Sequence, residues 1–319
     1  MMQGETTMPT IGLVGVGLIG RAWANVFSRA GWDVVMWDAN PDATAAAPRL
    51  VAESLRDLAQ HGLVTDPDRA AARLRTAATL EDAVKGVDLV QESGPERLED
   101  KQAIWARLDA AAAPETVLAS STSAIVASLF TEKLAGRGRC LVAHPVNPPH
   151  LVPIVELCGA PWTTKETIAR ARAFYKSVGQ VPIEVKKEID GFILNRLQVA
   201  LLTEAFRLVD EGYVTPQDLD HTIADGLGLR WSFMGPFETI ELNAPKGTAD
   251  YCERYGDWFR RYMKDLPKPS VWEEASWRRV AEAWGPALAS EKIAEKSLWR
   301  NERLAALAAH KKAQKPYQD

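Results

Sequence analysis

Residues 10–38 constrain this chain more than any others. An apolar run, TIGLVG, breaks at glycines, continues as VGLIGRAWANVFSRAG and gives way to a second apolar run, WDVVMWD. The pattern reads strand, glycine turn, helix, strand. Gly15, Gly17 and Gly20 fit G-x-G-x-x-G, in which the first glycine makes the tight turn, the second admits a pyrophosphate to the backbone, and the third lets helix pack on strand. Leu18 and Ile19, between the second and third glycines, join them as candidates to line the phosphates. Trp23, Val26, Phe27 and Ala30 recur at helical spacing, and Gly31 closes the helix. A lone glycine fingerprint is a weak signal, but here the strand before it and the helix after it supply the context it needs.

Asp38 ends the second apolar run, where an acidic side chain can hydrogen-bond both ribose hydroxyls of an adenosine and repel a 2′-phosphate. This favours NAD over NADP, with Asn40 and Arg49 nearby leaving mixed use open. The competing reading of Asp38 is a turn or cap in DANPD.

Alternation continues to about residue 190. Helices are expected near 43–61, 99–112 and 164–178, and strands in VDLVQES, TVLASSTS, RCLVAHPVN, VPIVELC and VPIEVKK. Such alternation builds an α/β domain on a largely parallel sheet. Beyond Asp190 the periodicity turns helical, most clearly in GFILNRLQVALLTEAFRLVDEG. The division expected is a Rossmann-like, NAD-binding domain over 1–189 and an all-helical substrate and dimerisation domain over 190–319. A chain of 319 residues suits two domains rather than one core. The lysine-rich end AAHKKAQKPYQD reads as a solvated, frayed tail.

Composition removes several classes. A formal charge of -4 with 25% charged residues gives no nucleic-acid footprint. No apolar run reaches the roughly 20 residues of a membrane span, and MMQGETTMP lacks the parts of a signal peptide, so a cytoplasmic protein is expected. The three cysteines, Cys140, Cys158 and Cys252, form no CxxC pair; they read as core thiols, and no metal site is expected.

In an open α/β sheet, ligands gather beyond the carboxyl ends of the strands. ASSTS ends one strand with Ser123, VAHPVNPP ends the next with His144 and Asn147, and IVE delivers Glu156. Prolines 145, 148, 149 and 153 stiffen the chain between His144 and Glu156, so it can double back and pair carboxylate with imidazole. A histidine so held suits proton abstraction from an alcohol. An ion pair at a sheet edge is the competing reading of Glu156.

The blocks GVGLIGRAW, VQESGPERLEDK, SSTS, AHPVNPP, VELC, GFILNRLQ and DGLGLRWSFMGPFET occur in an order and spacing that resemble the L-3-hydroxyacyl-CoA dehydrogenase family, and within it the lambda-crystallin, or L-gulonate 3-dehydrogenase, branch. The resemblance implies that His144 is a general base, Glu156 its partner, and Ser123 and Asn195 the groups that hold the substrate oxygen. It implies that Asp38, Glu96 and Lys101 contact NAD and that Asn147 orders the catalytic turn. It further implies an active site between the domains and a homodimer through the helical one. Arg230, before the M-G-P-F block, would clamp a free carboxylate; its alternative is a surface pair with Asp225. The expected reaction is oxidation of the 3-hydroxyl of a small acid of the L-gulonate type. Other readings are a 3-hydroxyacyl-CoA or carnitine dehydrogenase and a non-catalytic, crystallin-like structural protein. A 3-hydroxyisobutyrate or 6-phosphogluconate dehydrogenase would need a lysine where Gly191 stands.

Overall fold

The computed structural model describes residues 8–315. Most of the opening MMQGETTMP segment and the last four residues of the lysine-rich tail lie outside that span. The chain forms two compact units, one running up to Asn195 and resuming at Ile293, the other covering Arg196–Lys292.

The first unit carries one eight-stranded sheet in the order β3-β2-β1-β4-β5-β6-β7-β8. Its strands are β1 (Thr10–Val14), β2 (Asp33–Trp37), β3 (Leu74–Thr76), β4 (Leu89–Glu92), β5 (Val117–Ser120), β6 (Cys140–Pro145), β7 (Ile154–Gly159) and β8 (Val181–Val185). Every pairing is parallel except β6 with β7, where the proline-bounded turn reverses the chain and sets His144 opposite Glu156. The strand order turns back at β1 and β4, so the crevice of a dinucleotide fold opens between the ends of those two strands.

Helices cover both faces. On one, α1 (Leu18–Arg29), α2 (Pro41–Gln60) and α7 (Lys165–Ser177) bury Trp23, Phe27, Val51, Leu55 and Tyr175 against the sheet. On the other, α4 (Leu80–Val84) and α5 (Leu98–Ala111) bury Leu80, Val84, Trp105 and Leu108. Short helices α3 (Pro67–Ala71) and α6 (Ser128–Thr131) fill connections. Local chemistry sets the ends: Asn40 and Thr164 cap α2 and α7 by accepting N–H groups of Asp42 and Thr167, and Pro41 stands at the first position of α2.

The second unit contains most of α8 (Leu194–Asp210), followed by α9 (Pro216–His221), a π-helical segment over Thr222–Leu227, α10 (Gly228–Trp231), α11 (Pro236–Glu241), α12 (Gly247–Tyr262) and α13 (Glu274–Trp284). The last helix, α14 (Ser290–Ala313), returns to the first unit, where Ala305 joins the core cluster of α1, α2 and α7 and Leu304 packs against it.

Three sequence expectations are corrected. Ala30 is exposed, because α1 stops at Arg29 and Ala30 is its cap. Cys252 is exposed on α12, whereas Cys140 and Cys158 are core thiols that burial pushes up to about 12. The lysine-rich tail is helical through Ala313, because the apolar stripe of α14 that ends in Leu304, Ala305 and Leu307 anchors it. The short elements β3, α3, α4 and α6 were not among those expected from the sequence. Among the described residues, no helix is long and apolar enough to cross a membrane.

Candidate active site

The glycine turn is fixed by contacts that a side chain would break. Gly15 takes φ +92°, and a Cβ there would lie 2.7 Å from the carbonyl oxygen of Ser93, at the end of β4. At Gly20 a Cβ would meet the carbonyl oxygen of Gly15 at 1.9 Å. A Cβ on Gly17, by contrast, would meet nothing within 4 Å. The first and third glycines therefore serve the fold, and the second keeps a surface clear for a ligand. Leu18 opens α1 with an exposed side chain and Ile19 is partly buried. Asp38 lies at the end of β2 beside this turn: one carboxylate oxygen accepts the N–H of Val16 at 2.8 Å and the other that of Asn40 at 2.9 Å. It is thus a turn-holding residue whose carboxylate also borders the crevice.

His144 and Glu156 form the second focus. Both are buried, and Nδ1 of His144 lies 2.8 Å from Oε2 of Glu156. Oε1 of Glu156 accepts the N–H groups of Ile193 at 2.9 Å and of Leu194, the first residue of α8, at 3.0 Å. Burial alone would raise this carboxyl group's pKa, but the hydrogen bonds from His144 and from the two backbone N–H groups hold it below its ordinary value. An ionised carboxylate only accepts, so the neutral imidazole carries its proton on Nδ1 and presents a lone pair at Nε2. The same contacts bring in the other candidates. Asn195 follows Leu194, and its amide donates to the carbonyl oxygen of Ser123 at 3.1 Å. Glu96 accepts the hydroxyl of Thr122 at 2.7 Å and the N–H of Ser123 at 2.9 Å. His144, Glu156, Asn195, Ser123 and Glu96 are therefore linked in one chain of contacts within the first unit.

Lys101 is paired within the first unit. It is 1% exposed, and its ammonium sits 3.0 and 3.1 Å from the two carboxylate oxygens of Glu92, with the hydroxyl of Ser120 at 3.4 Å. Glu92 also accepts the N–H of Gly94, the indole N–H of Trp105 and the hydroxyl of Ser120, so the pair sits in a polar cluster at the end of β4. Asn147 is exposed in the turn after β6, on a cis bond to Pro148. Arg230 is exposed on α10, and Asp225 is engaged by His221 at 2.9 Å rather than by Arg230.

The family model for the NAD binding domain of 3-hydroxyacyl-CoA dehydrogenase matches residues 10–189, and that for its C-terminal domain matches residues 191–282. The chain belongs to the 3-hydroxyacyl-CoA dehydrogenase family. Among its relatives, lambda-crystallin of Oryctolagus cuniculus is 39% identical over 95% of this chain and 97% of its own. L-carnitine dehydrogenase of Pseudomonas aeruginosa is 39% identical over 96% of this chain and 95% of its own. Of the solved structures, an NAD+-dependent dismutase, 5-formyl-3-hydroxy-2-methylpyridine 4-carboxylic acid 5-dehydrogenase, superposes with a TM-score of 0.83 at 26% identity, covering 97% of this chain and all of that one. The 3-hydroxybutyryl-CoA dehydrogenase of Escherichia coli K12 gives a TM-score of 0.66 at 27% identity, covering 82% of this chain and 55% of its own.

This family member is an NAD-dependent dehydrogenase acting on a CH–OH group. The open backbone at Gly17, the start of α1 facing the crevice and the carboxylate of Asp38 fit a dinucleotide without a 2′-phosphate.

Three functional supports escaped the sequence reading. Phe192 holds φ +47°, unusual for a residue with a side chain; it is fully buried, and its ring lies 5.4 Å from that of His144. The turn it forms with Gly191 aims the next two N–H groups at Glu156. Glu92 and Lys101 form a buried pair beneath the end of β4. Beside them, Gln91 donates to Ser121 at 2.7 Å and accepts the hydroxyl of Tyr175. A polar glutamine and serine ending two apolar strands were the visible signal; a left-handed phenylalanine leaves none.

Proposed function

We propose that this enzyme oxidises the 3-hydroxyl of a small, free L-3-hydroxy acid of the gulonate type to the 3-keto acid, with His144 as general base. The observation that carries this reading is the buried His144–Glu156 pair, whose 2.8 Å contact fixes the imidazole with Nε2 available. Bound NAD supplies the acceptor for the hydride that leaves the same carbon. Nε2 of His144 removes the hydroxyl proton, and the carboxylate of Glu156, held ionised by Ile193 and Leu194, stabilises the imidazolium that forms. The hydroxyl of Ser123 and the amide of Asn195 hold the oxygen whose charge changes during the step. In the reverse direction His144 is the acid.

Arg230 is the partner assigned to the substrate's carboxylate, since a guanidinium grips a carboxylate with two parallel hydrogen bonds and a thioester offers no such charge. The dismutase with the TM-score of 0.83 is named for a carboxylic acid, which supports a free-acid substrate. A second reading is favoured by the 39% identity to L-carnitine dehydrogenase: carnitine is also a free 3-hydroxy acid, and the same base and clamp would serve it.

Replacement of the base tests the mechanism. His144→Ala should lower kcat by roughly 10²-fold or more while the Kd for NAD stays within about twofold. Near-normal turnover at neutral pH in that variant would remove His144 from the mechanism.

A further inference from the structure

The first unit holds a cavity of about 680 Å³ whose walls include none of the candidate catalytic or cofactor residues. It is bounded by the end of α1, the segment His150–Pro153, the end of α7 and the last turns of α14. Its volume lies within the range of roughly 300–1,000 Å³ usual for small-molecule sites. Leu63, Leu304 and Leu307 make part of the wall apolar, while Arg29, Lys311 and Lys312 bring positive charge, and among the described residues no aspartate or glutamate lines it.

Lysines at the end of a helix are ordinary. Arg29 is not. Its guanidinium has five N–H donors, and the one hydrogen bond seen runs from Nη1 to the carbonyl oxygen of His150 at 2.9 Å. It makes no salt bridge among the described residues, and partial burial lowers its pKa, so part of its hydration is lost without a carboxylate to replace it. His150 beside it has its Nδ1 buried without a partner. Burial and the charge of Arg29 push the ring down to about 4, so it is neutral at physiological pH and adds no charge of its own.

We infer that this cavity binds a small amphipathic carboxylate, with its head group on Arg29 and Lys312 and its aliphatic body against Leu63, Leu304 and Leu307. The anion supplies the counter-charge that Arg29 lacks, and the leucines favour an alkyl chain over a bare inorganic ion. The site is separate from the proposed substrate clamp, although it takes the same kind of head group.

Calorimetric titration of the full chain with saturating NAD tests the assignment, using octanoate, octan-1-ol and inorganic phosphate as probes. Octanoate should bind saturably and at least tenfold more tightly than either of the others. Arg29→Met should weaken octanoate at least tenfold. So should Leu307→Trp, which fills the cavity, keeps Arg29 and decides the matter if Arg29→Met does not fold. Arg230→Met should leave octanoate binding unchanged, which separates this site from the clamp. The inference is overturned by an absence of saturable octanoate binding, by equal affinity for octan-1-ol or phosphate, or by loss in Arg230→Met with retention in Leu307→Trp.

Discussion

Asp38 shows how one carboxylate serves both readings open to it. A carboxylate offers about four acceptor positions, so the two backbone N–H groups of Val16 and Asn40 leave capacity for a ribose hydroxyl. Its charge should dominate the choice between cofactors: wild type should prefer NAD, and Asp38→Ser should narrow the NAD/NADP ratio of kcat/KM by about tenfold, since the residue that repels a 2′-phosphate is gone. Equal efficiency of the wild type with both cofactors would contradict this. Glu156 makes a prediction about pH. Its pKa is held below the ordinary value in the folded state, so its contribution to stability is complete above the unfolded value near 4.5 and is lost as pH falls through the lower folded value. Glu156→Gln should therefore flatten the fall of Tm with pH below about 4.5; an unchanged acid limb would show that the carboxylate is not held ionised by its neighbours. These residues were legible because prolines mark the turn that brings His144 and Glu156 together. Phe192 was not, because its left-handed backbone is imposed by Gly191 before it and by burial of its ring, and neither is written in the residue itself.

At the scale of elements, the three glycines of the β1–α1 turn divide their work, and two substitutions separate it. Gly17→Ala places a methyl in open space, so the protein should fold with its Tm little changed while its affinity for NAD falls by about tenfold or more. Gly20→Ala drives a methyl to within 1.9 Å of the Gly15 carbonyl oxygen, so α1 must shift off β1 and the protein should lose cooperative unfolding. A thermal melt and a cofactor titration on both variants check the contrast, and a similar effect of the two would refute it. The elements themselves were readable where apolar runs or glycines mark them: β1, α1 and β2 follow from apolar pattern and glycine placement, and α5 and α7 fall within a residue or so of their expected bounds. The short elements β3, α3, α4 and α6 were not readable, because no apolar run or glycine placement sets them off from the connections around them. Nor was the end of α14 from residue 308, whose lysines disguise helix held by the earlier leucines.

For the whole molecule, chain order and packing divide the protein differently. The last helix belongs by contact to the first unit, so that unit is built from both ends of the chain, a long-range association that no local pattern announces. What the sequence does carry at this scale is the order of the family's blocks, which identifies the chemistry more finely than the fold does. The substrate is the claim on which the rest turns. Its most direct test is a comparison of kcat/KM for L-gulonate, L-3-hydroxybutyrate, carnitine and 3-hydroxybutyryl-CoA, each with NAD and each followed at the absorbance of reduced nicotinamide, in wild type and in Arg230→Met. A free 3-hydroxy acid, L-gulonate foremost, should be the best substrate, and Arg230→Met should raise its KM by about tenfold or more without altering the Kd for NAD. Faster turnover of 3-hydroxybutyryl-CoA than of any free acid, or an Arg230→Met enzyme with an unchanged KM, would contradict the carboxylate clamp and assign the enzyme to acyl-CoA substrates instead.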